Sequence, residues 1–507
     1  MSPITAGPCD HGLAATAPHQ GAARHPKGTL AATILGSSLA FIDGSVVNVG
    51  LPAIERDLAS SGASGASIGW LINAYLVPLG ALVLLGGVAG DRYGRKCMFL
   101  AGLGIFTAAS LACALAPGFG WLLAARAVQG VGAALLVPAS LAVLGAAFSG
   151  EARGRAVGTW AAAGAITGAL GPLVGGWLVD SIGWRSIFLV NLPVAAVAAW
   201  LAWRKVDESR ADDSPPLDGA GALLATAGLG LATFGLTVLA ARGGSGAGSF
   251  NAAALAALAA GVAALVAFVV VEARLGARAM MPLALFGTRS FVGITVLTLC
   301  LYAALSGMVV LLPYLLIRSA GWSAAGAGAA LLPLSVAMGL GSRAAGHLAE
   351  RVGARVLLTI GPLIVAAGFA LFLRVDAGPV HYAVDLLPAL VVVACGLTVS
   401  VAPLTAAVID AVDAAHVGSA SGVNNATARV AGLLATALLG YVFVGDASAP
   451  NFLGRFHGAA IAGTLLALAA GVAAFALVAA PGAASGSRDR RAPAPTAAPS
   501  DRGRRRS

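Results

Sequence analysis

One ten-residue segment occurs twice in this chain, first as Gly87-Val-Ala-Gly-Asp-Arg-Tyr-Gly-Arg-Lys96 and, 259 residues later, as Gly346-His-Leu-Ala-Glu-Arg-Val-Gly-Ala-Arg355. Both copies read Gly-x-x-x-acid-Arg-x-Gly, and each follows a long apolar stretch. The first and ninth apolar stretches of the chain are separated by nearly the same interval. Duplicated halves of this kind are common in membrane transporters. The repeat therefore predicts two related bundles of helices.

The composition independently places the chain in a membrane. Of its 507 residues, 58% are hydrophobic and only 10% are charged, whereas soluble domains are roughly 25% charged. This excludes a soluble enzyme, a disordered regulator and a secreted disulfide scaffold. Windows of about 20 apolar residues predict an all-α polytopic protein with fourteen spans. These lie near 29–50, 69–89, 98–116, 121–143, 157–179, 186–204, 217–240, 252–272, 291–317, 323–343, 356–374, 383–409, 420–444 and 457–480.

Six spans on each side of a central pair fit the position of the repeat. The expected organisation is two six-helix bundles with two inserted helices between them. In residue numbers this gives a disordered N-terminal tail (1–28), a first bundle (29–204), the inserted spans with their flanking loops (205–290), a second bundle (291–480) and a disordered basic tail (481–507).

The basic residues that produce the net charge of +10 are distributed as expected for a membrane protein. With a cytoplasmic N-terminus, 22 of the 31 Lys and Arg residues lie in cytoplasmic segments, seven of them in the C-terminal tail. Because basic residues favour the cytoplasmic side, both termini are expected there, in the plasma membrane. No aromatic-rich basic module accompanies the charge, so nucleic-acid binding is not expected. The five scattered cysteines form no CxxC pair, which argues against a disulfide framework and a zinc site.

Asp43 is the only one of the 21 acidic residues that falls well inside a predicted span. An ionised carboxylate in lipid is costly, so it should face a cavity or a partner and respond to protonation. Arg126 lies at a similar depth on the fourth span, where it would pair with the ionised carboxylate and release it on protonation. The alternatives are a structural hydrogen bond for Asp43 and a snorkelling side chain for Arg126.

Two further groups of residues are candidates for transport. Glycines on the fifth span recur at intervals of three and four, with a proline among them, and predict either tight packing or a hinge. Polar and aromatic residues on several spans would either line a central cavity or serve packing. The first group is Gly164, Gly168, Gly171, Pro172, Gly175 and Gly176; the second is Asn48, Asn73, Tyr75, Gln129, Trp160, Tyr302, Asn424 and Asn425.

The repeated loop has a predicted conformational role. Asp91 is expected near a helix N-terminus or near arginines of neighbouring spans, and Arg92, Arg95 and Lys96 should face the anionic inner leaflet. A simple positive-inside anchor would explain the basic residues but not the acid. The predicted conformational role also includes Gly87 and Gly94 of this loop, and Glu350 and Arg351 of the second copy.

Five motifs in order along residues 29–480 resemble the major facilitator superfamily, in its fourteen-span drug:proton antiporter branch. They are the Gly87–Lys96 loop, Arg126-Ala-Val-Gln-Gly-Val-Gly132, Gly168-Ala-Leu-Gly-Pro-Leu-Val-Gly-Gly176, Phe41-Ile-Asp-Gly-Ser-Val-Val-Asn-Val-Gly-Leu-Pro52 and Trp184-Arg-Ser-Ile-Phe-Leu-Val-Asn-Leu-Pro193.

The resemblance implies a proton-coupled efflux transporter that exports small amphipathic molecules, such as drugs, antibiotics or an endogenous metabolite, by alternating access. It implies a role for Arg126 in coupling, an antiport role for the fifth-span motif, and stabilisation of the outward-open state by the loop. No Walker sequence is present, so we expect the proton gradient to supply the energy without a cofactor. A monomer is expected.

Two alternatives remain at this stage, a nutrient symporter on the same fold and a non-transporting polytopic sensor. The single deep acid also bears on the substrate. A dication would compete with the proton for Asp43, so neutral, zwitterionic or monocationic compounds are expected to be preferred.

Overall fold

The computed structural model describes residues 24–63, 65–210, 218–242, 252–276, 279, 281–376, 380–412, 417–443 and 452–479. These residues form fourteen long helical segments and no strand, in agreement with the predicted class and number. They are α1 (Pro26–Asp57), α2 (Trp70–Tyr93), α3 (Arg95–Ala114), α4 (Phe119–Ala147), α5 (Gly150–Ser181), α6 (Ser186–Leu189 continued by Asn191–Lys205), α7 (Gly219–Arg242), α8 (Ala252–Leu275), α9 (Arg289–Arg318), α10 (Ala324–Ala329 continued by Leu332–Val352), α11 (Ala354–Leu371), α12 (Leu387–Asp410), α13 (Val417–Phe443) and α14 (Phe452–Leu477).

Short helical turns connect several of these segments. They are Ala59–Ser61, Gly65–Ile68, Leu283–Gly287, Phe372–Arg374 and the π-turn Tyr382–Leu386 that leads into α12.

Thirteen of the described segments are long and apolar enough to cross a membrane. The fourteenth, α13, has a comparable length and packs against α2, α7 and α9. It therefore occupies the position of a span. The N-terminus departs from prediction, because α1 already begins at Pro26, so residues 26–28 of the predicted tail are helical. Proline suits a first helical turn, where its missing N–H has no intrahelical acceptor. Residues 1–23 and 481–507 of the predicted tails lie outside the described residues.

The helices associate in two groups with a pair between them. Within α1–α6 the closest associations are α2 with α4, α3 with α4 and α1 with α5. Within α9–α14 they are α11 with α12, α9 with α14 and α11 with α14. Helices α7 and α8 pack on each other, and α7 also contacts α2 of the first group and α13 of the second. The inserted pair therefore lies beside the junction of the two bundles.

Equivalent glycines form the turns at both copies of the repeat. Gly94 is the single residue between α2 and α3, with φ +116°, and Gly353 is the single residue between α10 and α11, with φ +88°. Residues with a side chain rarely adopt such positive φ values, whereas glycine does so without strain. The last glycine of each motif is therefore explained by backbone geometry.

Small residues let α3 and α4 approach each other closely. A Cβ on Gly102 would lie only 2.7 Å from the backbone nitrogen of Leu136 and 2.9 Å from the carbonyl oxygen of Gly132. Backbone atoms cannot yield as a flexible side chain can. Gly104, two residues further along the same helix, would meet nothing within 4 Å. Alanine substitutions at these two glycines therefore separate the effect of packing on stability from the effect of helix propensity.

We expect Gly102→Ala to destabilise the protein by about 1–3 kcal/mol through overpacking, while Gly104→Ala leaves the stability unchanged or slightly raised because alanine is the better helix former. Thermal unfolding of the detergent-purified variants measures the difference. Equal unfolding temperatures for the two variants would contradict the close α3–α4 approach.

Candidate functional site

A buried ion pair joins α1 to α4. Nη1 of Arg126 donates a hydrogen bond to Oδ2 of Asp43 at 2.5 Å, and the two side chains are 1% and 0% exposed. An arginine that snorkels to the interface would be exposed, so that alternative for Arg126 is wrong. Burying such a pair is favourable only if the remaining polar atoms also find partners.

Gln129 supplies much of that compensation. It lies one turn beyond Arg126 on α4, donates from Nε2 to Oδ1 of Asp43 at 2.9 Å and accepts from Nη1 of Arg126 through Oε1 at 2.8 Å. Nε of Arg126 donates to the backbone carbonyl of Leu71 on α2 at 3.2 Å. Both oxygens of Asp43 are therefore occupied, and the amide of Gln129 bridges acid and base.

Three residues that the sequence analysis did not select extend this network to α3 and α6. Nδ2 of Asn191 donates to Oγ of Ser110 at 3.0 Å, and Ser110 donates in turn to the backbone carbonyl of Phe188 at 2.9 Å. The thiol of Cys113 lies 3.7 Å from Oε1 of Gln129. Asn191 belongs to the Trp184–Pro193 motif, which was the one sequence signal that pointed to it.

Aromatic rings enclose the guanidinium. Cζ of Arg126 lies 4.4 Å from the ring centroid of Tyr75 and 5.8 Å from that of Phe188. The hydroxyl of Tyr75 donates to the backbone carbonyl of Ala40 at 3.4 Å. A desolvated cation over an aromatic face gains electrostatic stabilisation, so the rings hold the charge in place after water has been removed.

The remaining cavity candidates are distributed over both bundles. Asn73 on α2 accepts a hydrogen bond from Thr436 on α13, while its Nδ2 is buried without a partner. Trp160 on α5 packs edge-on against Phe41 with ring centroids 5.8 Å apart, and its indole N–H is also buried without a partner. Asn73 thus joins the two bundles, and Trp160 stays within the first.

Four predicted residues lie apart from the ion pair. Asn48 is 3% exposed on α1. In the second bundle, Asn424 accepts from Thr298 at 2.7 Å, and Asn425 is exposed and donates to the carbonyl of Ser421 at 3.1 Å. Tyr302 is on α9 and makes no hydrogen bond within the described part of the chain. The structure therefore groups only Tyr75 and Gln129 with Asp43 and Arg126.

The two bundles are held together at the ends opposite the Gly87–Lys96 loop. Nη2 of Arg318, at the end of α9, lies 2.8 Å from Oε2 of Glu55, at the end of α1. Asp180, at the end of α5, accepts from the backbone N–H groups of Ala324 and Ala325 at 3.1 and 2.8 Å. These N–H groups begin α10, where the helix dipole favours a negative charge. We call these two contacts the outer latch, because these ends face outward in the predicted topology.

The glycines of α5 bring it close to two helices. Gly164, Gly168, Gly171 and Gly175 all face α1, since a Cβ on each would approach Phe41, Ser45 or Val46. On another side of α5, Gly176 lies against the backbone of Ala324, and the carbonyl of Pro172 lies against Gly328 of α10. The motif therefore packs one helix tightly against its own bundle and against the opposite one. Its role in antiport stays a prediction.

The contacts of the repeated loop differ from those expected. Asp91 accepts from Arg95 of the same motif, with 2.7 Å to Nη2 and 2.9 Å to Nε. The expected partner, an arginine or helix N-terminus of a neighbouring span, is not in contact with it among the described residues. Arg95, four residues along the chain and at the start of α3, is the nearer base.

Glu208, which the sequence analysis missed, occupies the position at the start of α3 instead. Its carboxylate accepts from the backbone N–H groups of Lys96 and Cys97, both at 3.0 Å, and Nζ of Lys96 donates to the carbonyl of Trp203. Gly87 packs near Pro138, and Arg92 is exposed. In the second copy Arg351 is exposed, while the side chain of Glu350 lies outside the described residues.

Comparison with known sequences gives one family. The family model of the Major Facilitator Superfamily matches residues 33–436. The chain is 33% identical to the multidrug resistance protein Stp of Mycobacterium tuberculosis, over 83% of this chain and 76% of that protein. It is 36% identical to the cephamycin export protein CmcT of Amycolatopsis lactamdurans, over 84% and 87% of the two chains. The puromycin resistance protein pur8 of Streptomyces alboniger is 35% identical, over 81% and 80%.

Solved structures with the same architecture have much lower sequence identity. A peptide transporter, POT, in complex with sulfate matches with a TM-score of 0.64 at 17% identity, covering 92% of this chain and 99% of that one. A bacterial homologue of the human lysosomal transporter Spinster, inward-facing and unoccupied, matches with a TM-score of 0.60 at 17% identity, covering 90% and 98%. At this identity the likeness establishes the fold alone.

The geometry of the ion pair predicts a non-additive effect on stability. Arg126→Gln leaves the buried Asp43 carboxylate uncompensated and should cost about 3–5 kcal/mol. The double variant Asp43→Asn/Arg126→Gln removes both charges and should be the more stable of the two. Thermal unfolding of the purified variants tests this. Arg185→Gln is a matched control, because its pair with Asp57 is 44% and 47% exposed and should contribute at most about 1 kcal/mol. A double variant less stable than Arg126→Gln would contradict the assignment.

The outer latch predicts a shift in conformation when its inter-bundle charge pair is removed. A cysteine at Asn48, two turns inward of Glu55 on the same face of α1, reports opening when the five native cysteines are replaced by alanine. We expect Glu55→Gln to raise the rate at which an impermeant maleimide labels this cysteine from outside by about fivefold, the equivalent of about 1 kcal/mol.

Asp57→Asn is the control for this measurement. Asp57 is two residues from Glu55 but pairs with Arg185 of its own bundle at 2.7 Å, so its removal should leave the labelling rate unchanged. Equal labelling in the Glu55→Gln and Asp57→Asn variants would show that the Glu55–Arg318 contact does not hold the bundles together.

Proposed function

The chain belongs to the Major Facilitator Superfamily and is a multi-pass membrane transporter rather than an enzyme, and we propose that it exports small amphipathic molecules in exchange for protons. Relatives named for multidrug resistance and antibiotic export support export as the direction. The substrates in this proposal are drugs, antibiotics or an endogenous metabolite, and the energy comes from the proton gradient without a cofactor.

The observation that carries the proton-coupling part is the position of Asp43. It is the only acidic side chain among the described spans that lies more than about one helical turn from a span end, and it is fully buried. A carboxylate in this setting is stable when ionised only while its partners hold it. It is therefore suited to take up and release a proton as those partners move.

Proton uptake would change the network in a defined way. An added proton forms an O–H bond on the Asp43 carboxyl and removes its negative charge, so the attraction to the Arg126 guanidinium is lost. The protonated oxygen becomes a hydrogen-bond donor, which no longer suits the Nε2 donor of Gln129. Helices α1 and α4 are then free to adopt a second arrangement, and because α1 contacts α5 and α9, the change reaches the second bundle.

Alternating access in this proposal exchanges the outer latch for contacts at the opposite ends. With the Glu55–Arg318 and Asp180–α10 contacts made, the outer ends are closed. An outward-open state requires both to break and the loop ends to come together. We assign Asp91 to that second state, in which it would leave Arg95 for a partner in the other bundle.

The proposed setting is the plasma membrane, with both termini in the cytoplasm and the protein acting as a monomer. The basic loop around Arg92, Arg95 and Lys96 would then face the anionic inner leaflet. Nucleic acid is not a partner in this proposal.

Asp43→Asn should abolish proton-driven export while leaving the protein inserted and folded. Asparagine keeps the size of the side chain but cannot exchange a proton. Uptake of fluorescent amphiphiles into inverted vesicles, with and without an uncoupler, provides the measurement. Asp385→Asn is the control, since this acid lies in the turn before α12 and accepts only from the N–H of His381. Uncoupler-sensitive transport by Asp43→Asn would rule out the assignment.

A further inference from the structure

A second arginine lies near the middle of a span. Arg429 is close to the centre of α13 (Val417–Phe443) and is partly buried. Arginine keeps its charge in proteins, and a charge at this depth is costly without a partner. Arg429 nevertheless makes no hydrogen bond and no ion pair within the described part of the chain. No counter-charge for it is therefore present among the described side chains.

The position of Arg429 is at the junction of the two bundles. Its Cβ lies 3.3 Å from the site where a Cβ on Gly80 of α2 would be. On its other side α13 packs against α9. Thr298 donates to Asn424 at 2.7 Å, and a Cβ on Gly432 would lie 3.4 Å from Oγ of Ser306, so Tyr302 lies at about the level of Arg429. Arg429 is therefore at the contact of α13 with α2 of the first bundle, between helices that must separate during alternating access.

No described carboxylate of the second bundle is close to this depth. Its acidic residues with described side chains, Asp376, Asp385 and Asp410, all lie at or beyond helix ends. Asp43 itself is not available, because Arg126 and Gln129 already occupy both of its oxygens.

Other polar groups near the junction of the bundles also have hydrogen-bond donors without an acceptor among the described residues. Nδ2 of Asn73 is buried without an acceptor, and its Oδ1 is bound to Thr436, two turns beyond Arg429 on α13. The hydroxyl of Tyr302 makes no hydrogen bond among the described residues. An excess of donors around a fixed positive charge favours a ligand that brings negative oxygen atoms.

We infer that the preferred substrate carries an anionic oxygen group, such as a carboxylate, that binds Arg429 with a hydrogen bond from Tyr302. This inference rests on the proposed export function and predicts that zwitterions and organic anions are carried better than neutral compounds of the same size. It ranks the substrate classes that the acid count left equal, with monocations last. Asp43 retains the proton, so proton and substrate occupy separate sites.

Three probes with one skeleton separate charge from apolar area, namely phenylbutyrate, phenylbutyramide and phenylbutylamine. Binding to the purified full-length protein in detergent is followed by intrinsic tryptophan fluorescence. We expect the wild type to bind the carboxylate most tightly. Arg429→Gln should weaken that binding by about tenfold or more, as loss of a charge-assisted hydrogen bond predicts, and Arg429→Lys should retain part of it. The amide should bind both forms equally.

Arg204→Gln is the control variant, because it removes one positive charge at the exposed end of α6, where the guanidinium lies over Trp203. The unfolding temperature of ligand-free Arg429→Gln gives a second readout. A cation without a structural partner predicts no loss of stability, whereas a structural role predicts a clear decrease. Equal carboxylate binding by wild type and Arg429→Gln, no carboxylate binding by the wild type, or tighter binding of the amine would each overturn the inference.

Transport in inverted vesicles separates this inference from the proposed function. Arg429→Gln should lose uptake of the carboxylate but not the uncoupler-sensitive uptake of a neutral fluorescent amphiphile that the wild type carries. Loss of both would place Arg429 in proton coupling and overturn the inference. Carboxylate binding that depends on Arg429, without any transport by the wild type, would refute the export function and leave the anion site standing.

Discussion

The buried pair of Asp43 and Arg126 is the constraint on which the first bundle depends. Neither charge is stable in lipid alone, and each becomes acceptable only when the other and a full set of hydrogen-bond partners are in place. Those partners come from α1, α2, α3, α4 and α6, so five helices must meet at one depth and in one rotation. Apolar packing alone would not specify this, because alanine- and leucine-rich helices slide and rotate against one another at little cost. The charge pair therefore fixes the relative depth and rotation of the helices, which apolar contacts in lipid do not determine.

The sequence predicted the features that depend on depth along a span, and it missed those that depend on rotation about the helix axis. Apolar windows are sufficient to place fourteen spans, and they put Asp43 and Arg126 at the same level. They carry no information on which face of α3 or α6 meets α4, and for that reason Ser110, Cys113 and Asn191 were not found. The Asp91–Arg95 contact was missed for a related reason, since a loop pattern does not distinguish a partner four residues away from one on a more distant helix.

The two bundles meet through different physical means at different depths. At the outer ends charged groups make the contacts, and Arg318 is still 31% exposed there, so water can solvate it when the pair breaks. Deeper in the membrane, glycines and a proline bring backbones of α5 and α10 together, which needs no charge to be desolvated when the surfaces part. Arg429, near the middle of α13 and against Gly80 of α2, lies deeper than both of these zones. The interface between the two bundles is thus weak at the ends that must open. Among the described side chains, it holds an unpaired positive charge at the depth where a ligand would pass.

The one-residue turns at Gly94 and Gly353 have a mechanical consequence. A connection this short allows no slack, so α2 cannot tilt without carrying α3 with it, and α10 cannot tilt without α11. Helix α2 bears Asn73 and Gly80 on the surface that touches α13, while α3 bears Ser110 and Cys113 beside the ion pair. The α2–α3 hairpin therefore works as a rigid lever, and a displacement of α2 where the bundles meet also displaces the groups of α3 that surround Gln129.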